Sequence, residues 1–548
     1  MAGSVFLARR IYTCDPDRPW AEAMAISGGR IVATGSRDEI LRAHGAGRDV
    51  VELDGEMVLP GLIDPHNHVM EGARAALYEL QLSGDLDFAG VVEKVGQAAR
   101  QPARTEWIVG GPFAIGRCPQ MYSAEGRAAL DAVSAGRPVL LRDLSLHARF
   151  GNSEALARAG VNEDCVDPKI GHFVRDAAGC LTGLAFEYAA NPLEAAIPPL
   201  SDEEWLACAR KSVGMLNAAG VTGFGLAIAS ARTMQALKAL DTAGGLSARV
   251  AGYLNMVPLL MAFARDGVGE ALVARRHEFR SARINPDCAK FFMDGVPLQY
   301  TAAFLDPYLD GEDGERGACA FTVEDLAGRI ATLDAEGLSV KVHAVGDRAV
   351  RDTLDAFEHV RNRNGGNAIR HTIAHLQFIA RSDIARLSRL NVGADLCPPM
   401  WFPLPNDRAF RAALGDARVD GSWPIREIVT SGALAAVGSD WPAISPVPNP
   451  WPGLSALLTR RNPFAPVPGE IGPDQAVDME TALALSCASG AAMIGFGSVA
   501  GRLRPGYSAD FIAIDRNVFA CDPEQVAGTT VLRTYFEGRC VHDINAQA

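Results

Sequence analysis

Leu59-Pro60-Gly61-Leu62-Ile63-Asp64-Pro65-His66-Asn67-His68 sets an apolar run directly before two histidines at positions i and i+2. On an extended strand such residues point to one face, so both imidazoles can reach the same metal ion. The pattern recurs downstream. Val340-Lys341-Val342-His343 ends a second short apolar run and Thr372-Ile373-Ala374-His375 a third. Ala435-Ala436-Val437-Gly438-Ser439-Asp440 ends a fourth, with a carboxylate in the terminal place. In a barrel of parallel strands the C-terminal strand ends converge on one face, which gathers residues far apart in sequence. Imidazole and carboxylate suit zinc, and also manganese, iron or nickel. One histidine at a strand end is ordinarily a packed or solvated residue. A His-x-His followed by two more histidines and an aspartate in the same place predicts a metal centre.

Outward from these runs, the middle of the chain reads as α/β. The helical stretch Ser201 to Ala219 leads into the strand-like run Val221 to Gly225, and Ala289 to Met293, Ser339 to His343, Thr372 to His375 and Ala433 to Val437 follow. Such alternation predicts a parallel sheet, open or closed into a barrel. The first sixty residues read as β-structure. Ala23 to Ile26 and Arg30 to Ala33 flank Ser27-Gly28-Gly29 as a hairpin, and Val50 to Leu53 and Glu56 to Leu59 repeat the device around Asp54-Gly55. Asp510 to Asp515 and Val531 to Phe536 return to short apolar strands at the other end. The expected division is 1–60 and 491–548 as two parts of a small β-domain, with 61–490 as a barrel carrying insertions. Residues 297–320, rich in Gly, Asp and Pro, read as a long exposed loop that could cover a site.

Composition narrows the function classes. The 548 residues are 48% hydrophobic and 21% charged, enough to bury a large core. A net charge of −13 without a basic block would repel a phosphate backbone, which argues against nucleic acid. No stretch approaches 18 unbroken apolar residues, and no signal-peptide pattern precedes Cys14, so no membrane association is expected. Eleven scattered cysteines without a Cys-x-x-Cys pair suit free thiols in a reducing cytoplasm.

These motifs resemble the amidohydrolase superfamily, in particular its amidohydrolase-3 branch, which includes N-substituted formamide deformylases. The likeness runs through Ala25 to Gly35, Leu59 to His68, Lys290 to Gly295, His343 to Ala349, Gly438 to Pro442 and Gly506 to Phe511, in order. It implies a (β/α)8 barrel with a β-sandwich from both termini and a site for one or two divalent metals, zinc the expected ion. Carried over by position, His66, His68, His343, His375 and Asp440 are ligands. Lys290 matches a lysine that reaction with CO2 turns into a carbamate. An ammonium has no lone pair to ligate, whereas a carbamate offers two oxygens. The alternative for Lys290 is an ordinary pairing with a carboxylate such as Asp294.

The resemblance implies hydrolysis of a C–N bond, most simply an amide, by metal-activated water, with Asp440 carrying the proton to the leaving nitrogen. A cyclic amide or carbamate hydrolase, a decarboxylase or C–C lyase, or a non-catalytic scaffold are the alternatives. His147, before Gly151-Asn152-Ser153, matches a substrate-contacting position. Phe113, Trp401, Phe402 and Trp441 could wall an apolar pocket for a small hydrophobic or aromatic N-substituted substrate. Trp107 to Phe113 and Leu396-Cys397-Pro398-Pro399 depart from the branch's usual pattern, where substrate choice would reside. Cys397 reads as a lining residue, His371 as a helix-end residue, and Asp347 and Arg348 as a structural ion pair. A homodimer is expected from the resemblance alone.

Overall fold

The computed structural model describes residues 3–101, 105–257, 267–311, 314–366, 369–443, 447–464 and 467–547. Eight strands form one parallel sheet in chain order: β1 (Leu62–Asn67), β2 (Val221–Ala229), β3 (Arg249–Asn255), β4 (Ile284–Phe292), β5 (Ser339–Ala344), β6 (His371–His375), β7 (Val392–Leu396) and β8 (Ala435–Val437). These strands are almost wholly buried, as expected where helices cover a parallel sheet. Past the end of β8 the ring is drawn together by two backbone bonds: the Asp440 amide donates to the His66 carbonyl at 2.8 Å and the His68 amide to the Trp441 carbonyl at 2.7 Å. Gly438 permits this closeness. A Cβ there would meet the His66 Cβ at 2.8 Å and its backbone nitrogen at 3.0 Å. The expected barrel is therefore present, and nearly closed. Sequence reading passed over β3 and β7, each a short run with few local markers.

The expected helix lies at Asp202–Ala218, where the Ser201 side chain accepts from the Glu204 amide while the Glu204 carboxylate accepts from the Ser201 amide. Strands from both termini share one eight-stranded mixed sheet, in which Phe511–Ile514 runs antiparallel to Met57–Pro60. Stacked Phe511 and Tyr535, with Phe6 edge-on, fill one face. The first hairpin forms with Ser27 opposite Arg30. The second does not. Asp49–Glu52 and Met57–Pro60 both pair in parallel with Ser4–Tyr12, so Asp54-Gly55 steps the chain along a third strand instead of reversing it onto itself. Helix Ala488–Met493 packs on the barrel across the expected limit at 490.

Between β1 and β2 lies an insertion whose place and strands the sequence did not announce. Leu80–Gln81, Ile108–Phe113, Val139–Asp143, Ala148–Gly151, Phe173–Arg175 and Leu181–Phe186 form a six-stranded mixed sheet with its own core. Apart from residues 312 and 313, which lie outside the described ones, the segment 297–320 is an irregular stretch as expected, exposed at Asp306, Leu309, Asp310 and Arg316 but packed down elsewhere. Ala302, Phe304 and Tyr308 are buried against Val345 and Phe378. Asp347 and Arg348 do not pair with each other. The Asp347 carboxylate accepts from the Leu305 amide at 2.8 Å and Arg348 donates to the Gly317 carbonyl at 3.2 Å, so both bind this segment down. His371 opens β6 as a core residue, stacked on Phe357, not as a helix end.

Candidate metal centre

The barrel brings the six expected residues, His66, His68, Lys290, His343, His375 and Asp440, to the C-terminal ends of β1, β4, β5, β6 and β8. Register places Phe292 beside His343 and Ala344 beside His375. The His66 ring centroid lies 5.7 Å from that of His68 and 5.1 Å from that of His375, which is 4.3 Å from that of His343. His375 and Asp440 hold φ of 74° and 55°. A side chain in this left-handed region costs on the order of 1–3 kcal/mol, a strain that characteristically gathers at functional sites.

The donor set fits a divalent cation. The Nε2 atoms of His66 and His68 lie 3.4 and 3.1 Å from Asp440 Oδ1. His66 Nε2 and Asp440 Oδ1 are buried with no hydrogen-bond partner among the described residues, so each lacks the partner a buried polar atom ordinarily has. Burial, reinforced by neighbouring cationic groups, pushes His66, His343 and His375 far below the ordinary imidazole range. They are neutral rings with a lone pair to give. Which nitrogen carries it follows from partners that can only accept. His66 Nδ1 faces an Asp395 oxygen at 2.8 Å and His375 Nδ1 the Cys397 carbonyl at 2.8 Å, leaving Nε2 bare on both. His343 Nε2 faces the Gly295 carbonyl at 3.3 Å, leaving Nδ1.

Lys290 is buried, its ammonium nitrogen 4.9 Å from the Phe292 ring centroid. Burial and the nearby Lys341 lower it to about 8. The pairing with Asp294 does not occur. Asp294 instead accepts from the amides of Ala303, Val345 and Gly346 at 2.9–3.0 Å, and burial pushes it up to about 7 despite these donors. Asp64 buttresses the other side, accepting from the His66 amide, Asn67 Nδ2, and the amide and hydroxyl of Ser439.

A cavity of about 270 Å³ opens over this cluster. Its apolar wall includes Met215, Ile228, Phe292 and Trp441. The inserted sheet supplies the facing wall. There His147 Nδ1 meets both oxygens of buried Glu187 at 2.9 and 3.0 Å. Burial alone would lower His147, but the carboxylate prevails and raises it. Beside it Arg142 grips buried Glu194 through two bonds of 2.6 and 2.9 Å and reaches Glu79 at 2.5 Å, while Arg149 shares Glu194. Both Glu71 oxygens face this region buried and, among the described residues, without a hydrogen-bond partner.

Phe113 and Trp401 stand elsewhere. Phe113 is fully buried in the inserted sheet's core, and Trp401 packs edge-on to Trp423 in the barrel core, with Phe402 buried beside them. Neither Phe113 nor Trp401 lines the cavity, because the adjoining backbone turns their rings into apolar layers. Cys397 lies beneath His375, and burial pushes its thiol far up, away from the thiolate a nucleophile needs. Sequence reading missed Asp395, Lys341, Glu187, Glu194 and Arg142. For Asp395 a signal existed: a charge inside the otherwise apolar run Val392–Leu396 needs a buried partner. Lys341 within Val340-Lys341-Val342 and Arg142 after Val139-Leu140-Leu141 carry the same mark, whereas Glu187 and Glu194 carry none.

A nearly closed parallel barrel with imidazoles and a carboxylate at its strand ends defines a metal-dependent hydrolase of the amidohydrolase type. The sequence pattern of the Amidohydrolase family matches residues 49–542, and the chain belongs to that family. It is accordingly an enzyme acting on C–N bonds. It is 27% identical to the putative amidohydrolase YtcJ of Bacillus subtilis (strain 168), over 97% of this chain and 98% of that one. It is 26% identical to the N-substituted formamide deformylase of Arthrobacter pascens, over 98% of each. Among solved structures, an uncharacterized metal-dependent hydrolase from Pyrococcus horikoshii OT3 superposes with a TM-score of 0.75 at 21% identity, covering 95% of this chain and 99% of that one. Among the described residues, no helix is long and apolar enough to cross a membrane.

Proposed function

We propose that this enzyme hydrolyses the C–N bond of a small N-substituted amide whose substituent is hydrophobic or aromatic. The observation that carries the reading is the meeting of His66 Nε2, His68 Nε2 and Asp440 Oδ1, two of them without a partner, at the floor of a cavity walled by Met215, Ile228, Phe292 and Trp441. In this reading His66, His68, His343, His375 and Asp440 hold one or two divalent cations, zinc by the chemistry of the donors, and Lys290 serves as its CO2 adduct. A buried lysine with a lowered pKa has a larger share of the neutral amine that attacks CO2. When bound, such a cation lowers the pKa of water and polarises a carbonyl.

The chain's own groups do the rest. Asp440 accepts the proton of the attacking water and returns it to the nitrogen as the C–N bond breaks, so the products are an acid and a free amine. His147, oriented by Glu187, holds the carbonyl oxygen as charge develops on it. Glu71 offers an acceptor to an N–H of the substrate. An N-substituted formamide is the substrate class named for one relative, and the apolar wall suits that kind of N-substituent. The proposed domain division is 1–60, 61–490 and 491–548, with helix Ala488–Met493 straddling the second limit. Eleven free cysteines fit a reducing compartment, and we assign the enzyme to the cytoplasm.

The test is a panel of formamides, acetamides, cyclic amides and carbamates with benzyl or alkyl substituents, read by amine release from zinc-loaded protein. Amine release from the open-chain amides supports the reading. Release of CO2 with little amide turnover would move the enzyme to carbamate cleavage or decarboxylation.

A further inference from the structure

Behind the first histidine of the His-x-His pair lies a charged device that the reaction itself does not use. Asp395 on β7 is fully buried, and one oxygen accepts from both His66 Nδ1, at 2.8 Å, and Lys341 Nζ. Lys341 on β5 is equally buried. It donates again to the Pro65 carbonyl at 2.7 Å and sits 4.0 Å from the Tyr253 ring centroid. The pair thus ties β1, β5 and β7 together directly under the metal-facing side of His66. Of the other two candidate ligands on barrel strands, His375 is held by the neutral Cys397 carbonyl at 2.8 Å, and His343 by the Gly295 carbonyl at 3.3 Å with the Asp294 carboxylate farther off at 3.8 Å. A carboxylate behind an imidazole fixes its tautomer and makes the opposite nitrogen a stronger base, an effect on metal affinity of about 10–100-fold in known sites.

We propose that Lys341–Asp395 is a positioning pair for His66, making the His66–His68–Asp440 half of the centre its tighter metal position and the His343–His375 half the looser one. This rests on the metal-dependent reading above. Lys341 contributes separately, because a carboxylate at this depth needs a cationic partner, and Lys341 Nζ supplies it on the same oxygen that His66 Nδ1 meets. A purely structural tie between strands would need the contact but not the charge.

That difference is testable. Asp395→Asn combined with Lys341→Met keeps shape and an acceptor oxygen for His66 while removing both charges. Wild-type and variant proteins are loaded with zinc and bicarbonate and challenged with a chelator, and metal remaining is followed by elemental mass spectrometry alongside thermal unfolding. We expect the most slowly released zinc of the wild type to leave about 10–100-fold faster from the variant. Equal release rates in a folded variant overturn the positioning role, while a wild type that takes up no metal overturns the metal reading itself. Should the variant fail to fold, nitrogen NMR of the wild-type, metal-free protein decides, with His66→Gln for assignment. A proton on Nδ1 of His66 is expected, and one on Nε2 overturns the proposal.

Discussion

Glu194→Gln probes how dry the charged cluster at the cavity wall is. The carboxylate is 1% exposed and serves two guanidinium groups: Arg142 in a two-pronged grip at 2.6 and 2.9 Å, and Arg149 through its Nε. The two do not lose equally. Arg142 retains Glu79 at 2.5 Å, whereas Arg149 is left with the Leu146 and Ala148 carbonyls and no carboxylate. Stranding one partner of a buried ion pair costs about 3–5 kcal/mol. At about 1 °C per kcal/mol, from roughly 2.1 cal/mol/K of unfolding entropy per residue over a chain of this length, the melting temperature should fall by about 3–5 °C. Differential scanning calorimetry checks this, with Glu194→Gln/Arg149→Met as the companion. Because the cost arises from one unpaired charge, the double variant should recover much of the loss. A single variant within about 1 kcal/mol of wild type, or a double variant less stable than the single, would refute the argument. The sign with pH follows as well. Burial alone would raise Glu194, but the two arginines overcome it and hold its carboxyl far below the ordinary value. Its contribution is therefore complete above about pH 4.3 and is lost only as pH falls toward the depressed folded value.

Other substitutions separate roles at the centre. Asp440→Asn should lower kcat by about 10²–10⁴-fold while metal analysis still finds bound zinc; near-normal turnover would remove Asp440 as the proton carrier. Lys290→Met should lower metal stoichiometry toward one and abolish any bicarbonate dependence of reconstitution, and an unchanged stoichiometry would return Lys290 to a packing role. Gly72→Ala should raise KM with metal content intact, because a Cβ there would meet the Trp441 ring at 2.0 and 2.1 Å and push it into the cavity. His147→Gln should lower kcat/KM by about tenfold or more and leave metal retention untouched, as expected for a group that holds substrate oxygen.

The proposed ligand positions were legible because each carries a local mark. His66, His68, His343, His375 and Asp440 interrupt or end short apolar runs, and strand alternation alone sets which face they share. The apolar residues themselves are poorer guides. Phe113, Trp401 and Trp441 look alike in sequence, yet only Trp441 reaches the cavity wall, since burial in a core and exposure to a pocket ask for the same ring.

Barrel architecture and the placing of histidines and an aspartate at strand ends were thus determined by sequence, through period-two alternation and motif order. Tertiary structure alone decided the rest. His66 and Asp395 are 329 residues apart, and they meet only because strand order in the barrel brings β7 beneath the floor of the site. The wall bearing His147, Arg142 and Glu194 belongs to a sheet inserted between β1 and β2, and its place over the barrel mouth is fixed by packing between units. Such pairings depend on which surfaces bury each other, and no local pattern of residues encodes that.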